Sequence, residues 1–294
     1  MENMTALVSA FARAYHFRNN STWVFADPLA EKMLTEEEYC AISKNMAKGI
    51  SFFAPSFRGK EEEALRFITD RQLAPPVLAR SAFCERAAGN ALQIGCRQFV
   101  LYACGYDTFS LRLCGERLRF FELDRPEMIE DRQRRILQSG LTPACPVTSV
   151  GCDLARSGWQ EALIRAGFDP GKQAFGSLLG LIYYLSPEEF RTLLETVSSI
   201  SAEGSSLCFD YPMAEEGTES RRTRELAAAA GERMKASYFY NEMEAILSEA
   251  GFLIYEHMNA AEATGAFFGE YNRMNPDHPM EAPAGVGYCL AVKK

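Results

Sequence analysis

The sequence predicts an α/β fold, a mostly parallel sheet flanked by helices and preceded by a helical N-terminal region. Three observations predict it. After Gly95, short apolar runs alternate with amphipathic segments of helical period. Before Gly95 the spacing is helical throughout. The chain then closes on two strand-like runs joined by a long connection and followed by no helix, a pair that meets antiparallel at one end of the sheet. The 294 residues are 47% apolar and 24% charged, an ordinary globular balance with ample length to bury a core.

Element by element, "TALVSAFARAYHF" reads as the first helix, and Asp27 before Pro28 reads as the N-cap of "LAEKML". A helical pattern starting at Lys60 is expected to break at Pro75-Pro76. Strands are expected near Gln98–Ala103, Leu118–Asp124, Val147–Val150, Ala174–Leu179 and Ser205–Tyr211. Helices are expected after Pro126, over Ser157–Ala166 and over Pro187–Ile200, giving right-handed crossovers. "NEMEAILSEAGF" is a helix stopped by Gly251, and "FLIYEHM" and "GVGYCLAVKK" are the closing strands. The connections Met213–Tyr240 and Ala260–Gly285 are long for a compact domain, which marks them as functional or mobile. We divide the chain into residues 1–90, a helical N-terminal region and lid, and residues 91–294, the core.

A formal net charge of −8 argues against a nucleic-acid partner, because phosphate neutralisation needs clustered Lys and Arg. Nine cysteines, odd in number and without a Cys-x-x-Cys pair, fit buried free thiols in a reducing compartment. The N-terminus lacks a signal-peptide pattern, and the longest apolar run, "FGSLLGLIYYL", falls far short of the ~18 residues that span a bilayer. A cytoplasmic protein without membrane contact is expected. No histidine pair has metal-ligand spacing, so no metal is expected.

In an open parallel sheet ligands bind beyond the carboxyl ends of the strands. Those ends carry Ala103-Cys104-Gly105 with Asp107, then Glu122 and Asp124, Asp153, Leu179-Gly180, and Asp210-Tyr211. Asp124 follows Gly105 by 19 residues, close to the ~20 at which an acidic side chain meets ribose hydroxyls. The glycines that let backbone amides cradle a pyrophosphate are missing, since the next glycine after Gly105 is Gly115. That disfavours a nicotinamide oxidoreductase. An adenosine ligand without phosphates, such as S-adenosylmethionine, suits an acidic loop better.

Several motifs together resemble the leucine carboxyl methyltransferase family, in particular its bacterial branch with tetracenomycin-type polyketide O-methyltransferases. "VFADPLAEKML", "ARSAFCE", "RQFVLYACGYDTFSLRL", "FFELDRPEMIEDRQRRI", "VGCDL" and "GLIYYLSPEEF" carry the resemblance, with "YNEMEAIL" and "GYCLAV" near the end. It implies a Rossmann-like seven-stranded methyltransferase sheet with an S-adenosylmethionine site. By the same resemblance Arg80 pairs with the cofactor carboxylate and Ala103 to Gly105 pass under its methionine portion. Asp124 holds the ribose, and Asp153 with Leu154 flanks the adenine; the sequence itself puts Asp107 at the rim, as either a ligand or an N-cap. The implied activity is O-methylation of a small carboxylate or phenol.

The chain departs from the family pattern at Ala103 (usually glycine), Phe109 (usually arginine) and Leu179 (often glutamate). An alanine costs little there if its φ is negative. These changes leave open a second reading, a non-catalytic member that binds a nucleoside or a partner. Catalytic residues are not assigned. A carboxylate acceptor needs no base, and for a phenol His16, Tyr183, Tyr184, Tyr238 and His257 are candidates by type only. His16 is more simply an exposed helix-end residue, His257 a structural one and His278 a loop residue. Tyr183, Tyr184, Tyr211 and Tyr238 either line a substrate pocket or pack the core.

Overall fold

The computed structural model describes residues 4–214 and 235–294. Seven strands, β1 (Gln98–Tyr102), β2 (Arg119–Asp124), β3 (Val147–Gly151), β4 (Ala174–Leu178), β5 (Ser206–Pro212), β6 (Phe252–Met258) and β7 (Val286–Lys293), form one sheet in the order β3-β2-β1-β4-β5-β7-β6. β1 to β5 pair in parallel, while β7 lies between β5 and β6 and is antiparallel to both.

β1 is buried along its whole length because helices cover both faces, which is why it reads as a continuous apolar run. Phe99 and Leu101 face one core layer, with Phe83, Phe120, Phe175 and Tyr288. Val100 and Tyr102 face the other, with Phe121, Leu178, Phe190 and Phe209. Each expected strand is present within a residue or two of its expected limits, as are the helices that follow them.

The helices used below are α1 (Met4–Asn19), α2 (Glu36–Lys48), α3 (Glu61–Ile68), α4 (Ala74–Gln93), α5 (Pro126–Gln138), α6 (Trp159–Arg165), α7 (Pro187–Ser199) and α8 (Tyr240–Glu249). α2 and α7 start on reciprocal capping boxes, Thr35 with Glu38 and Ser186 with Glu189. α8 ends before Gly251, whose φ of 81° supplies the left-handed residue after the helix. α4 continues past residue 90 and packs its Leu78, Phe83 and Ala87 into the sheet core.

Three expectations need correction. The helical pattern after Lys60 does not break at Pro75-Pro76: it deforms earlier, in a π-helical turn over Thr69–Leu73, and the prolines sit in the first turn of α4, where their missing N–H costs nothing. Asp27 reaches the Leu29 amide at 3.2 Å, as a local cap does, yet it is 1% exposed and joined to distant arginines, as described below. The connection Ala260–Gly285 is largely helical, and it is packed, burying Ala263, Phe268, Tyr271 and Met280 in the core. Residues 215–234, the interior of the other long connection, lie outside the described residues. Among the described residues no helix is long and apolar enough to cross a membrane.

Candidate functional site

The strand order reverses direction between β1 and β4, and a cavity of about 520 Å³ opens there, at the carboxyl ends of β1, β2 and β4. Leu101 to Asp107 form its floor segment, Asp124 and Arg125 come from the end of β2, and Ser177 with Leu179 to Leu181 from the end of β4. α1 contributes Thr5, Ala6, Ser9 and Arg13, and α4 contributes Arg80. Of the seven residues singled out from sequence, the cavity brings together Arg80, Ala103, Gly105, Asp107 and Asp124; Asp153 and Leu154 stand past β3, outside its lining.

The loop after β1 turns through two left-handed residues, Ala103 at φ 56° and Gly105 at φ 48°. The condition under which Ala103 would be a small change, a negative φ, is not met, and an alanine in this region carries a Cβ–carbonyl conflict that glycine escapes. Asp124 accepts the Gly105 amide at 2.8 Å through Oδ2 and its own neighbour's amide, Arg125 N–H, at 2.8 Å through Oδ1. Burial raises its carboxyl above the usual range, against those two hydrogen bonds. Asp107 accepts the Phe109 amide at 2.8 Å, so it caps the following turn while lining the cavity.

Two arginines that sequence reasoning missed hold this loop from opposite sides of the chain. Arg132, on α5 and 0% exposed, donates to Glu122 at 2.9 and 2.6 Å and to the loop carbonyls of Gly105 and Asp107 at 3.2 and 2.5 Å. Burial alone would raise the Glu122 carboxyl; Arg132 outweighs it and holds Glu122 below its ordinary value. Arg13, on α1, donates to the Tyr106 carbonyl and to Asp27, each at 2.8 Å. Asp27 also accepts from Thr108 at 2.6 Å and lies 3.4 Å from Arg112, which together offset its burial and lower its carboxyl. The N-terminal helix, the Asp27 turn and the loop are thus one hydrogen-bonded unit.

Arg80 is set by Asp210, 3.7 Å from its Nη1, and by Ser9, 3.3 Å from its Nη2. The same Asp210 accepts from the Gly180 amide at 2.7 Å and the Tyr183 hydroxyl at 3.0 Å. Gly180 has φ 68°, and a Cβ built on it would lie 2.5 Å from Arg80 Nη1, so only glycine lets the guanidinium stack this close to the exit of β4. Phe109 packs edge-on against Phe99 and Phe120 in the core; the guanidinium near the Asp27 turn comes instead from Arg112. Leu179 lines the cavity.

Among the base candidates only Tyr184 lines the cavity. Burial and then the Asp210 carboxylate push the Tyr183 phenol up, so it stays protonated. Tyr211 is buried with its hydroxyl 2.9 Å from His257 Nε2, and Tyr238 packs against Phe190. His16 is not exposed, as expected from sequence, but fully buried; its Nε2 accepts the Val24 amide at 3.0 Å, and burial followed by Arg66 lowers its pKa to about 3. A signal for this was available, since "AYHF" continues the apolar spacing of α1 through the histidine. All nine cysteines are free, and Cys84, Cys96, Cys104, Cys145, Cys208 and Cys289 are buried.

Comparison with known proteins bears on this geometry. Residues 6–198 match the family model described as leucine carboxyl methyltransferase. A Bacillus subtilis (strain 168) protein named "Putative S-adenosyl-L-methionine-dependent methyltransferase YktD" is 34% identical over 304 residues, covering 99% of this chain and 98% of its own. Among solved structures, a DUF574 family protein from Streptomyces avermitilis MA-4680 superposes with a TM-score of 0.55 at 14% identity, covering 97% of both chains. The magnesium protoporphyrin IX methyltransferase ChlM from Synechocystis PCC 6803, solved with bound SAH, gives 0.51 at 12% identity, covering 87% of this chain and all of its own.

Proposed function

The chain belongs to the leucine carboxyl methyltransferase family and is an S-adenosylmethionine-dependent methyltransferase, and from that premise we propose that it methylates an oxygen of a small carboxylate or phenol. The observation that carries this reading is the single cavity in which Arg80, the small-residue loop Ala103–Gly105 and Asp124 meet. Its donor set fits the cofactor. A guanidinium suits a carboxylate, the Asp124 carboxylate suits ribose hydroxyls, and the backbone at Ala103 to Gly105 leaves room for the methionine portion. Asp107 would border the site, and Asp153 and Leu154 would flank the adenine beyond β3. The motif resemblance supports a place in the branch with tetracenomycin-type enzymes.

When bound, the cofactor supplies an electrophilic methyl group on a sulfonium. The protein's task is then to hold an acceptor oxygen in line and exclude water. A carboxylate acceptor arrives ionised and needs no base, which agrees with a lining that holds no histidine among the described residues. For a phenol, Tyr184 is the one candidate by type in the lining, and it would have to be ionised itself before it could receive the proton. The free thiols support a cytoplasmic setting.

Labelled methyl transfer to matched panels of aromatic carboxylates, phenols and amines tests the proposal. Label in alkali-labile esters or alkali-stable ethers is expected. Label confined to amines or carbon would overturn oxygen transfer while leaving the methyltransferase assignment in place.

A further inference from the structure

Arg80 is a long cation on α4 whose side chain is 17% exposed and lines the cavity. An arginine left to itself samples many rotamers, and a ligand that binds it has to freeze them. Here the guanidinium is held before any ligand arrives. One face lies on Gly180, where a Cβ would stand 2.5 Å from Nη1, 2.9 Å from Cζ and 3.1 Å from Nη2. Ser9 Oγ is 3.3 Å from Nη2, and Asp210 Oδ2 is 3.7 Å from Nη1.

Two of these three supports depend on Asp210, which is 1% exposed on β5. Its Oδ1 accepts the Gly180 amide at 2.7 Å and so pins the left-handed residue on which the guanidinium rests. Its Oδ2 accepts the Tyr183 hydroxyl at 3.0 Å and faces Arg80. At 3.7 Å the ion pair attracts without a hydrogen bond, so Asp210 steadies the guanidinium and leaves its N–H donors for another acceptor. Asp210 is not among the residues lining the cavity, so it reaches a ligand only through Arg80. The acidic side chains that do line the cavity, Asp107 and Asp124, follow β1 and end β2. Among the described lining residues, the β4 side therefore presents a cation without a competing carboxylate.

We propose that Asp210 is a positioning residue that sets cofactor specificity: it holds Arg80 ready for the carboxylate of the cofactor's methionine portion, and the site thereby prefers nucleosides that carry this carboxylate. The proposal rests on Arg80 meeting the cofactor carboxylate. A carboxylate takes two parallel N–H bonds from a guanidinium only when the two planes are aligned, so it loses more than a carboxylate-free ligand does when the guanidinium swings freely.

The test is calorimetry on the full chain with S-adenosylhomocysteine and its decarboxylated counterpart S-adenosyl-3-thiopropylamine, which keeps the amine. The parent is expected to favour S-adenosylhomocysteine by about tenfold or more. Asp210→Asn keeps an acceptor for the Gly180 amide and removes the charge beside Arg80. Loss of a negative charge would by itself favour the carboxylate, so a fall in preference reports orientation. The preference is expected to shrink about fivefold, through weaker binding of S-adenosylhomocysteine. Asp210→Glu, which carries the charge one methylene further, is expected to shrink it as well and serves if the first variant does not fold. Arg80→Met is expected to abolish the preference, and Asp210→Asn to change nothing more in that background. A preference kept by Arg80→Met would remove the premise and the proposal with it. With Arg80→Met behaving as expected, a preference kept or raised in the Asp210 variants, or equal weakening of both probes, would overturn the role of Asp210 alone.

Discussion

Replacing Arg132 by Met removes the side chain that ties α5 to the loop after β1. Glu122 is 1% exposed and, without its partner, keeps only the Ser110 hydroxyl and a 3.5 Å contact to Ser149. Breaking a buried pair by deleting one partner costs about 3 to 5 kcal/mol, mostly the penalty of an uncompensated charge. The carbonyls of Gly105 and Asp107 lose a charged donor at the same time, so the loop that lines the cavity loosens. The pH dependence follows from the sign of the shift. In the native protein Glu122 is depressed, so its contribution is present above the carboxylate range and is lost as pH falls through its folded value. In Arg132→Met burial is opposed only by the Ser110 and Ser149 hydroxyls and raises Glu122, so the variant's deficit grows as pH rises above ~4.3, the unfolded value. Urea unfolding at pH 5.5 and 7.5 reads this directly: the variant is expected to be less stable at both, with the larger deficit at pH 7.5. A double variant, Arg132→Met with Glu122→Leu, is expected to regain most of the stability and little of the affinity for S-adenosylhomocysteine. A single variant within about 1 kcal/mol of the parent would refute the role given to this pair, as would full recovery of affinity in the double variant.

Ala103→Gly is expected to stabilise the fold by about 0.5 to 1 kcal/mol in thermal or urea unfolding, the relief of left-handed strain exceeding the added chain entropy. Gly180→Ala acts in the opposite direction, since its Cβ would meet Arg80 Nη1 at 2.5 Å; cofactor affinity is expected to fall about tenfold in calorimetry. His16 takes up its proton in the unfolded chain near pH 6.5 but in the folded one only near pH 3, so stability is expected to fall by about 1.4 kcal/mol per unit as pH drops through that window. A His16→Gln variant should show a flatter acid limb in urea unfolding at pH 5 and 7.

β1, β2, β4 and β5 were legible because burial on both faces turns each into a largely apolar run. β1, for instance, passes from Gln98–Tyr102 directly into Ala103-Cys104-Gly105. The cavity's acidic rim at Asp107 and Asp124 followed from where those strands end. The arginines did not, because Arg13 and Arg132 bind main-chain carbonyls far along the chain, and a carbonyl has no sequence signature. Asp27 was legible as a cap but not as the meeting point of Arg13, Thr108 and Arg112, which only the tertiary fold assembles. The sign of φ at Ala103 was hidden for a related reason: the loop's hydrogen bonds, including Asp124 to the Gly105 amide, over-determine a conformation that alanine alone would avoid. In Ala260–Gly285 the Gly and Asn content masked helices whose buried face is formed by Ala263, Phe268 and Tyr271.

The central claim is that the cavity where β1 and β4 part holds the cofactor through Asp124. Calorimetry with S-adenosylhomocysteine on the parent and on Asp124→Ala tests it most directly. Tight binding to the parent is expected, with a loss of about 1 to 3 kcal/mol in the variant, five- to over a hundredfold in Kd. Binding by the parent with unchanged affinity in a folded Asp124→Ala protein would contradict it and leave Asp124 only the task of holding Gly105.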